Sequence, residues 1–179
     1  MQTVKMVISG AVNAGKTQFI KAISEIEVVS TERKASDDTK NIKATGQTTV
    51  AMDFGRITIG DDLVLHLFGT PGQKRFDFMW EILSEGMLGL IVLVDSTRPE
   101  TFRETNRIID FFNAQREAPY VIAANKQDHE NAWDPDELRL ALRLPPEVKI
   151  VPCIATERDS VKNVLLELLY VIMQYSKEE

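Results

Sequence analysis

Two stretches constrain the fold before any other: "LGLIVLVD", residues 88–95, and "YVIAAN", residues 120–125. Each is a short, unbroken apolar run, the pattern of a strand covered on both faces in a parallel sheet. A third run, in "IGDDLVLHLF", enters through a hairpin turn at Gly60–Asp62. Between these runs the apolar residues change to a helical spacing. Phe102, Thr105, Ile109 and Phe112 form one stripe; Val161, Val164, Leu165, Leu168, Leu169 and Ile172 form another. Strands alternating with helices predict a three-layer α/β fold. Its sheet is expected to have six strands, mostly parallel, with one antiparallel edge strand.

The first strand is read over Thr3–Ser9, and the helix after it over Lys16–Glu25. Residues 27–47 are polar, mixed in charge and without period, and read as a long mobile loop. Val50, Met52 and Phe54 then alternate with Ala51 and Asp53, as in a half-buried strand. Past Gly55 the apolar phase slips to Ile57 and Ile59, which predicts a β-bulge at the glycine. The sequence has no internal repeat or linker, so residues 1–179 are expected to form one domain.

Between the first strand and helix stands "GAVNAGKT", Gly10–Thr17, which fits G-x-x-x-x-G-K-[ST]. Backbone N–H groups of such a loop converge on phosphate oxygens, and the following helix directs its positive end there. Lys16 can reach the β- and γ-phosphates, and the Thr17 hydroxyl can bind Mg²⁺. At the end of the last apolar run lies "ANKQD", Ala124–Asp128. Guanine offers two adjacent donors, N1–H and the N2 amine, beside the acceptors O6 and N7. Asp128 can accept both donors, Asn125 can serve the acceptor side, and the Lys126 stem can lie over the ring. The place is right for a ligand, since open α/β sheets bind at the carboxyl ends of their strands.

A net charge of −6 argues against nucleic acid or anionic lipid as unaided partners. One cysteine, Cys153, excludes an internal disulfide framework and suits a reducing cytoplasm. "MQTVKMVISG" lacks a signal-peptide pattern and "QYSKEE" lacks a prenylation box, so no direct membrane anchor is expected.

These motifs together resemble the Ras-like small GTPases over nearly the whole chain, with "TTVAMDFGRITI" and "LHLFGTPGQKRF" similar to the prokaryotic MglA-like members. The resemblance implies GTP and GDP as ligands, Mg²⁺ as cofactor and slow GTP hydrolysis. It implies a nucleotide site of Asn13, Ala14, Gly15, Lys16, Thr17, Gln18, Thr49, Gly72, Asn125, Lys126, Asp128, Ala155 and Thr156. Thr49 matches the switch I threonine. "GTPGQ" matches the switch II box, in which Gly72 offers its N–H to the γ-phosphate and Gln73 orients water. In "CIATE" the Ala155 N–H would approach guanine O6. The implied catalytic residues are Gln73, Lys16 and Gly72, and the metal set is Thr17, Thr49 and Asp53. MglA-like systems further imply a homodimeric roadblock-type (MglB-like) activating partner.

Three positions depart from the pattern. Gly69 stands where the switch II box begins with a metal-supporting aspartate, and Asp53 matches the aspartate that replaces it in MglA-like proteins. Asp53 could equally be a surface or partner-contacting carboxylate. Val12 crowds the space an activating arginine needs, and Thr48 stands where MglA carries arginine. Arg75, Arg56 and Arg33 remain candidates in cis, and a partner could supply the group instead. Gly69 and Val12 favour the alternative of a guanine-nucleotide scaffold with little hydrolysis; Asp128 disfavours a P-loop small-molecule kinase.

Lesser features complete the expectations. In "KRFDFMWEIL" the stripe Phe76, Met79, Trp80 and Leu83 suits packing, whereas Phe78 and Ile82 form a second ridge, either partner site or wider core. His66 and Cys153 read as core residues and His129 as a surface one. Asp134, with Pro135 behind it, reads as a helix cap beside Trp133.

Overall fold

The structure is a computed structural model that describes residues 1–30, 52–72, 77–115 and 117–178. Its strands are β1 (Gln2–Gly10), β2 (Val29–Ser30), β3 (Asp53–Ile59), β4 (Leu63–Gly69), β5 (Met87–Asp95), β6 (Tyr120–Asn125) and β7 (Lys149–Pro152). Its helices are α1 (Lys16–Ile23), α2 (Phe78–Ser84), α3 (Phe102–Gln115), α4 (Pro135–Ala141) and α5 (Arg158–Glu178). The sheet order is β2-β3-β4-β1-β5-β6-β7. β4, β1, β5, β6 and β7 are mutually parallel, and β3 runs antiparallel to both its neighbours.

The apolar runs are buried as their composition requires. From Gly89 to Asp95 every residue of β5 is buried, and Val121–Asn125 of β6 likewise. Their side chains alternate between two cores. Ile91 and Leu93 join Phe19 and Ile20 of α1 and Val164 and Leu168 of α5. Leu90, Val92 and Val94 join Trp80 of α2, Phe112 of α3 and Leu138 of α4. Both expected helical stripes face these cores, with Leu169 half-buried.

Among the described residues the sheet has seven strands rather than six. The extra one, β2, lies inside the segment read as loop and pairs Val29 with Phe54 and Ser30 with Asp53. Two residues carry no period from which a strand could be read. β3 is therefore not the edge strand, and the part of the expected loop beyond Ser30 lies outside the described residues.

The bulge expected at Gly55 is absent, because β3 pairs with β4 without a break from Asp53↔Gly69 to Ile59↔Leu63. The phase slip has another cause: the two faces of β3 serve different partners. Phe54 lies against the rings of His66 and Phe68, whereas Ile57 packs on the α1 side. Gly55 is where α1 crosses, and a Cβ there would stand 2.5 Å from Ile20 Cγ2. The register irregularity of the sheet falls instead between Lys5 and Met6, opposite β5.

The end of α1 also covers the outer side of β3. Glu25 accepts hydrogen bonds from Thr58 N–H and Oγ1 and pairs with Arg56, and Ser24 Oγ accepts from Arg56 N–H. On the other side of the molecule Asp134 and Glu137 form a reciprocal capping box, and Trp133 meets Phe102 edge-on. His66 is half-buried, not a core residue, because its neighbours on β3 leave that face partly open. His129 is exposed. Cys153 is buried at the end of β7, where desolvation pushes its thiol up to about 11.

Candidate nucleotide-binding site

The loop Gly10–Gly15 leaves β1 and turns directly into α1. Gly15 is the N-cap, with φ 107° and no side chain to cap the first turn, and that turn contains no acidic residue. The first N–H groups of α1 thus face the loop uncapped, the arrangement that receives an anion. A Cβ on Gly15 would stand 2.4 Å from Asn125 Nδ2, so glycine is required here by both conformation and space. Lys16 curls back over the loop and donates to Gly10 O at 2.6 Å and Ala11 O at 2.9 Å.

A cleft of about 360 Å³ opens on this loop, lined among others by Asn13, Lys16, Thr17, Gln18, Asp53 and Gly72. Thr17 Oγ1 donates to Asp53 Oδ2 at 2.5 Å. Asp53 is 7% exposed, and its Oδ1 is buried without a partner among the described residues. The carboxylate sits directly opposite Gly69 in the β3–β4 register. A Cβ at Gly69 would lie 3.1 Å from Asp53 Cβ and 3.0 Å from Ile20 Cδ1. The two positions therefore share one space, and the carboxylate occupies it from β3 instead of β4. A freely solvated surface carboxylate does not fit this burial.

At the base end the polar side chains bond to one another. Asn125 Nδ2 donates to Ala14 O at 2.8 Å, and its Oδ1 accepts from the Ala155 N–H at 2.9 Å. Asn125 thus joins the phosphate loop to the loop after β7. Lys126, in the left-handed region at φ 64°, directs Nζ to Asp95 Oδ2 at 2.6 Å, so only its stem is offered to the cleft. Gln127 Nε2 bridges Ser96 Oγ and Trp133 O. Asp128 and Thr156 are exposed beyond this network.

Asp95 is the residue that the sequence reading missed. It is 2% exposed, and Thr97 N–H and Oγ1 hold its other oxygen. Burial pushes its carboxyl up, but the hydrogen bonds from Lys126 and Thr97 outweigh this and hold it below the usual carboxylate range. The available signal was a lone carboxylate closing an otherwise apolar strand.

Ala14 is buried in the loop and Val12 is 50% exposed at its rim. Val12 Cγ2 would lie 3.1 Å from a Cβ at Gly72, so the two residues touch closely. Arg56 is exposed and pairs with Glu25. Thr48, Thr49, Gln73, Arg33, Arg75 and Phe76 lie outside the described residues. Met79 is half-buried and Trp80 and Leu83 buried, while Phe78 and Ile82 are 53% and 54% exposed. No described helix is long and apolar enough to cross a membrane.

A family described as "Conserved hypothetical ATP binding protein" matches residues 8–175. The uncharacterized protein MJ1339 of Methanocaldococcus jannaschii is 34% identical over 125 residues, 70% of this chain and 71% of that one. The Ras-related protein RABC2a of Arabidopsis thaliana is 29% identical over 136 residues, 70% of this chain but only 64% of its own length. Among solved structures, the Arl6 BBS3 small GTPase from Trypanosoma brucei with bound GppNp superposes with a TM-score of 0.74 at 18% identity. That superposition covers 97% of this chain and 99% of the other, and shows the fold. The chain belongs to the family described as conserved hypothetical ATP binding proteins, as a member of the Ras-like small GTPase superfamily.

Proposed function

We propose that this chain is a guanine-nucleotide switch that binds GTP with Mg²⁺ and hydrolyses it slowly. One observation carries the proposal: Lys16, Thr17, Asp53 and Gly72 line a single cleft at the uncapped start of α1. That cleft joins a cation for the phosphates, a hydroxyl and carboxylate for a metal, and a backbone N–H for the terminal phosphoryl group.

The donor set fits Mg²⁺. It combines hard oxygens from Thr17 and Asp53, and Asp53 Oδ1, without a partner among the described residues, is a buried acceptor. Thr17, Asp53 and Thr49 would hold the ion, directly or through water. When bound, Mg²⁺ neutralises charge on the phosphate oxygens. The protein's own groups do the rest. Lys16 offsets charge from the loop side, Gly72 donates its N–H, and Gln73 orients the attacking water. Asn13, Ala14, Gly15 and Gln18 surround the phosphates, and Asp128 receives the guanine donors over the Lys126 stem. Thr156 stands beside Ala155 at the rim of the base.

A roadblock-type activating partner of the MglB-like kind is part of this proposal, supported by the exposed pair Phe78 and Ile82 beside the switch II segment. Alanine at both positions should weaken partner capture and leave GTP affinity unchanged. Normal capture would place the partner site elsewhere.

A second reading, ATP in place of GTP, is favoured by the family's description. Competition by GTP, GDP and ATP against a fluorescent guanine nucleotide decides between them, and single-turnover assay with labelled GTP tests hydrolysis. GTP winning by a large factor, with Mg²⁺-dependent release of phosphate, is the expected result. Equal competition by ATP overturns the guanine assignment, and no release with or without partner leaves a non-hydrolysing scaffold.

A further inference from the structure

Helix α5 carries more apolar surface than the core takes up. Val161, Val164, Leu165, Leu168 and Ile172 are buried on the side that faces the sheet. On the opposite side Leu166, Tyr170 and Met173 are 50%, 54% and 60% exposed. Their spacing of i, i+4 and i+7 lines them up as one stripe along the outer face. Among the described residues no other helix exposes three large apolar side chains.

The two ends of the same face carry opposite charges. Asp159 lies in the first turn of α5 and Lys177 in the last, and both are exposed. Neither forms an ion pair with another described residue. They are 18 residues apart. That separation is five turns of helix, so they stand on one side of it, about 27 Å apart. Leu166 and Tyr170 lie between them, and both pairs are centred on Leu168.

We propose that the outer face of α5 is an interface for a second copy of this chain, packed antiparallel across a two-fold axis near Leu168. Such a contact requires that residue i meet residue j and that j meet i. The face meets this requirement with its own residues. Leu166 faces the partner's Tyr170 and Asp159 faces the partner's Lys177, each pair occurring twice. A parallel arrangement would oppose like charges at both ends. Tyrosine and methionine are also side chains that interfaces favour. A lipid surface is the poorer fit, since Asp159 lies on the face and the net charge is −6. The three side chains give each copy roughly 300 Å² of contact, below the size of stable interfaces, so the dimer is weak, with Kd on the order of 100 µM.

Sedimentation velocity on the full chain, from about 10 µM to about 1 mM, should show the mean mass rising from one copy towards two. Leu166→Ser combined with Tyr170→Ser should raise Kd about tenfold or more. Asp159→Lys and Lys177→Asp should each raise it several-fold at low salt, because each sets like charges against one another at both ends. An equimolar mixture of these two single variants should dimerise more tightly than either alone, since each copy supplies the charge the other lacks. Reversed charges also cost each helix end some stability, which mixing cannot restore. Recovery of the dimer on mixing therefore separates an interface from a helix-end effect.

A parent that stays a single copy at the highest concentration overturns the proposal, and so does a mixture that behaves as the average of its parts. A dimer indifferent to the two serine substitutions lies on another face, which also overturns it. Capture of the parent by anionic vesicles, without a dimer in solution, would give the face to a membrane instead. Should the serine variant fail to fold, the charge mixture carries the same outcomes.

Discussion

The two ends of the cleft are built on opposite terms. At the base end Asn125, Lys126, Gln127 and Asp95 are held by bonds within the protein. At the phosphate end the first turn of α1 is uncapped, Asp53 Oδ1 has no partner among the described residues, and Lys16 rests on two loop carbonyls. Motif residues are thus of two kinds. Some shape the platform and never need to touch a ligand, whereas others keep polar atoms for one. The base end is pre-organised, so substitutions within its hydrogen-bond network should be felt in folding as well as binding. Phosphate-end substitutions should be felt in binding alone.

The largest effect expected from this contrast is at Lys16. Lys16→Ala removes the loop's buried cation and should weaken triphosphate binding by about 2–5 kcal/mol, roughly thirtyfold or more, with circular dichroism unchanged. Tight GTP binding by the variant would break the phosphate-loop assignment.

Asn125 and Asp128 then sharpen the contrast within one motif. Asp128→Asn should shift the affinity ratio of GTP to xanthosine triphosphate by about 3 kcal/mol, since two donors lose a charged acceptor, and leave the melting temperature in place. Asn125→Ala leaves Ala14 O and the Ala155 N–H without their partner. It should cost about 2 kcal/mol of stability or more, some 5 °C in Tm, and weaken all nucleotides alike. Reversal of the two profiles would show that Asn125 reads the base and Asp128 braces it.

The shared space of Asp53 and Gly69 gives a more specific test. Asp53→Ala should raise the Mg²⁺ concentration needed to retain GTP by about tenfold, with GDP changing less. Gly69→Asp alone is crowded by Asp53 Cβ and Ile20. Asp53→Gly combined with Gly69→Asp moves the carboxylate to the other strand and should recover part of the Mg²⁺ response. An Mg²⁺ titration unmoved by Asp53→Ala would leave the metal to Thr17, Thr49, phosphates and water.

The smallest effect is expected at Asp95, about 1 kcal/mol for Asp95→Asn, and it carries a pH signature. The folded carboxyl lies below its unfolded value of about 3.9. Its contribution is therefore complete above about pH 4 and is lost as pH falls through the folded value. The stability gap between the parent and Asp95→Asn should close on acidification. A gap constant from pH 6 to pH 3 would mean that the Lys126 pair contributes nothing to folding.

The layered fold was legible because its causes are local. The runs at 88–95 and 120–125 state their own burial, and "GAVNAGKT" states the strand, turn and helix around it. The motif residues of both ends were legible too, but their bonding partners were not. Nothing in "ANKQD" says that the Asn125 amide bonds to Ala14 and Ala155, residues brought to it only by the sheet. Asp95 escaped for the same reason, since its partner lies on the neighbouring strand end. β2 and the false bulge at Gly55 failed differently. A two-residue strand is below the length at which alternation exists, and a change of packing partner along β3 imitates a register slip.

The contact between Glu25 and Thr58 bears on self-association. β2 covers only the first two residues of β3, so further along, the N–H of Thr58 faces away from the sheet. An outward row of unsatisfied strand donors is a template on which a second chain can add itself. The Glu25 carboxylate takes that donor and places a negative charge on the margin. Glu25→Ala should leave GTP affinity unaltered yet lower the concentration at which the purified protein begins to aggregate, which light scattering would detect.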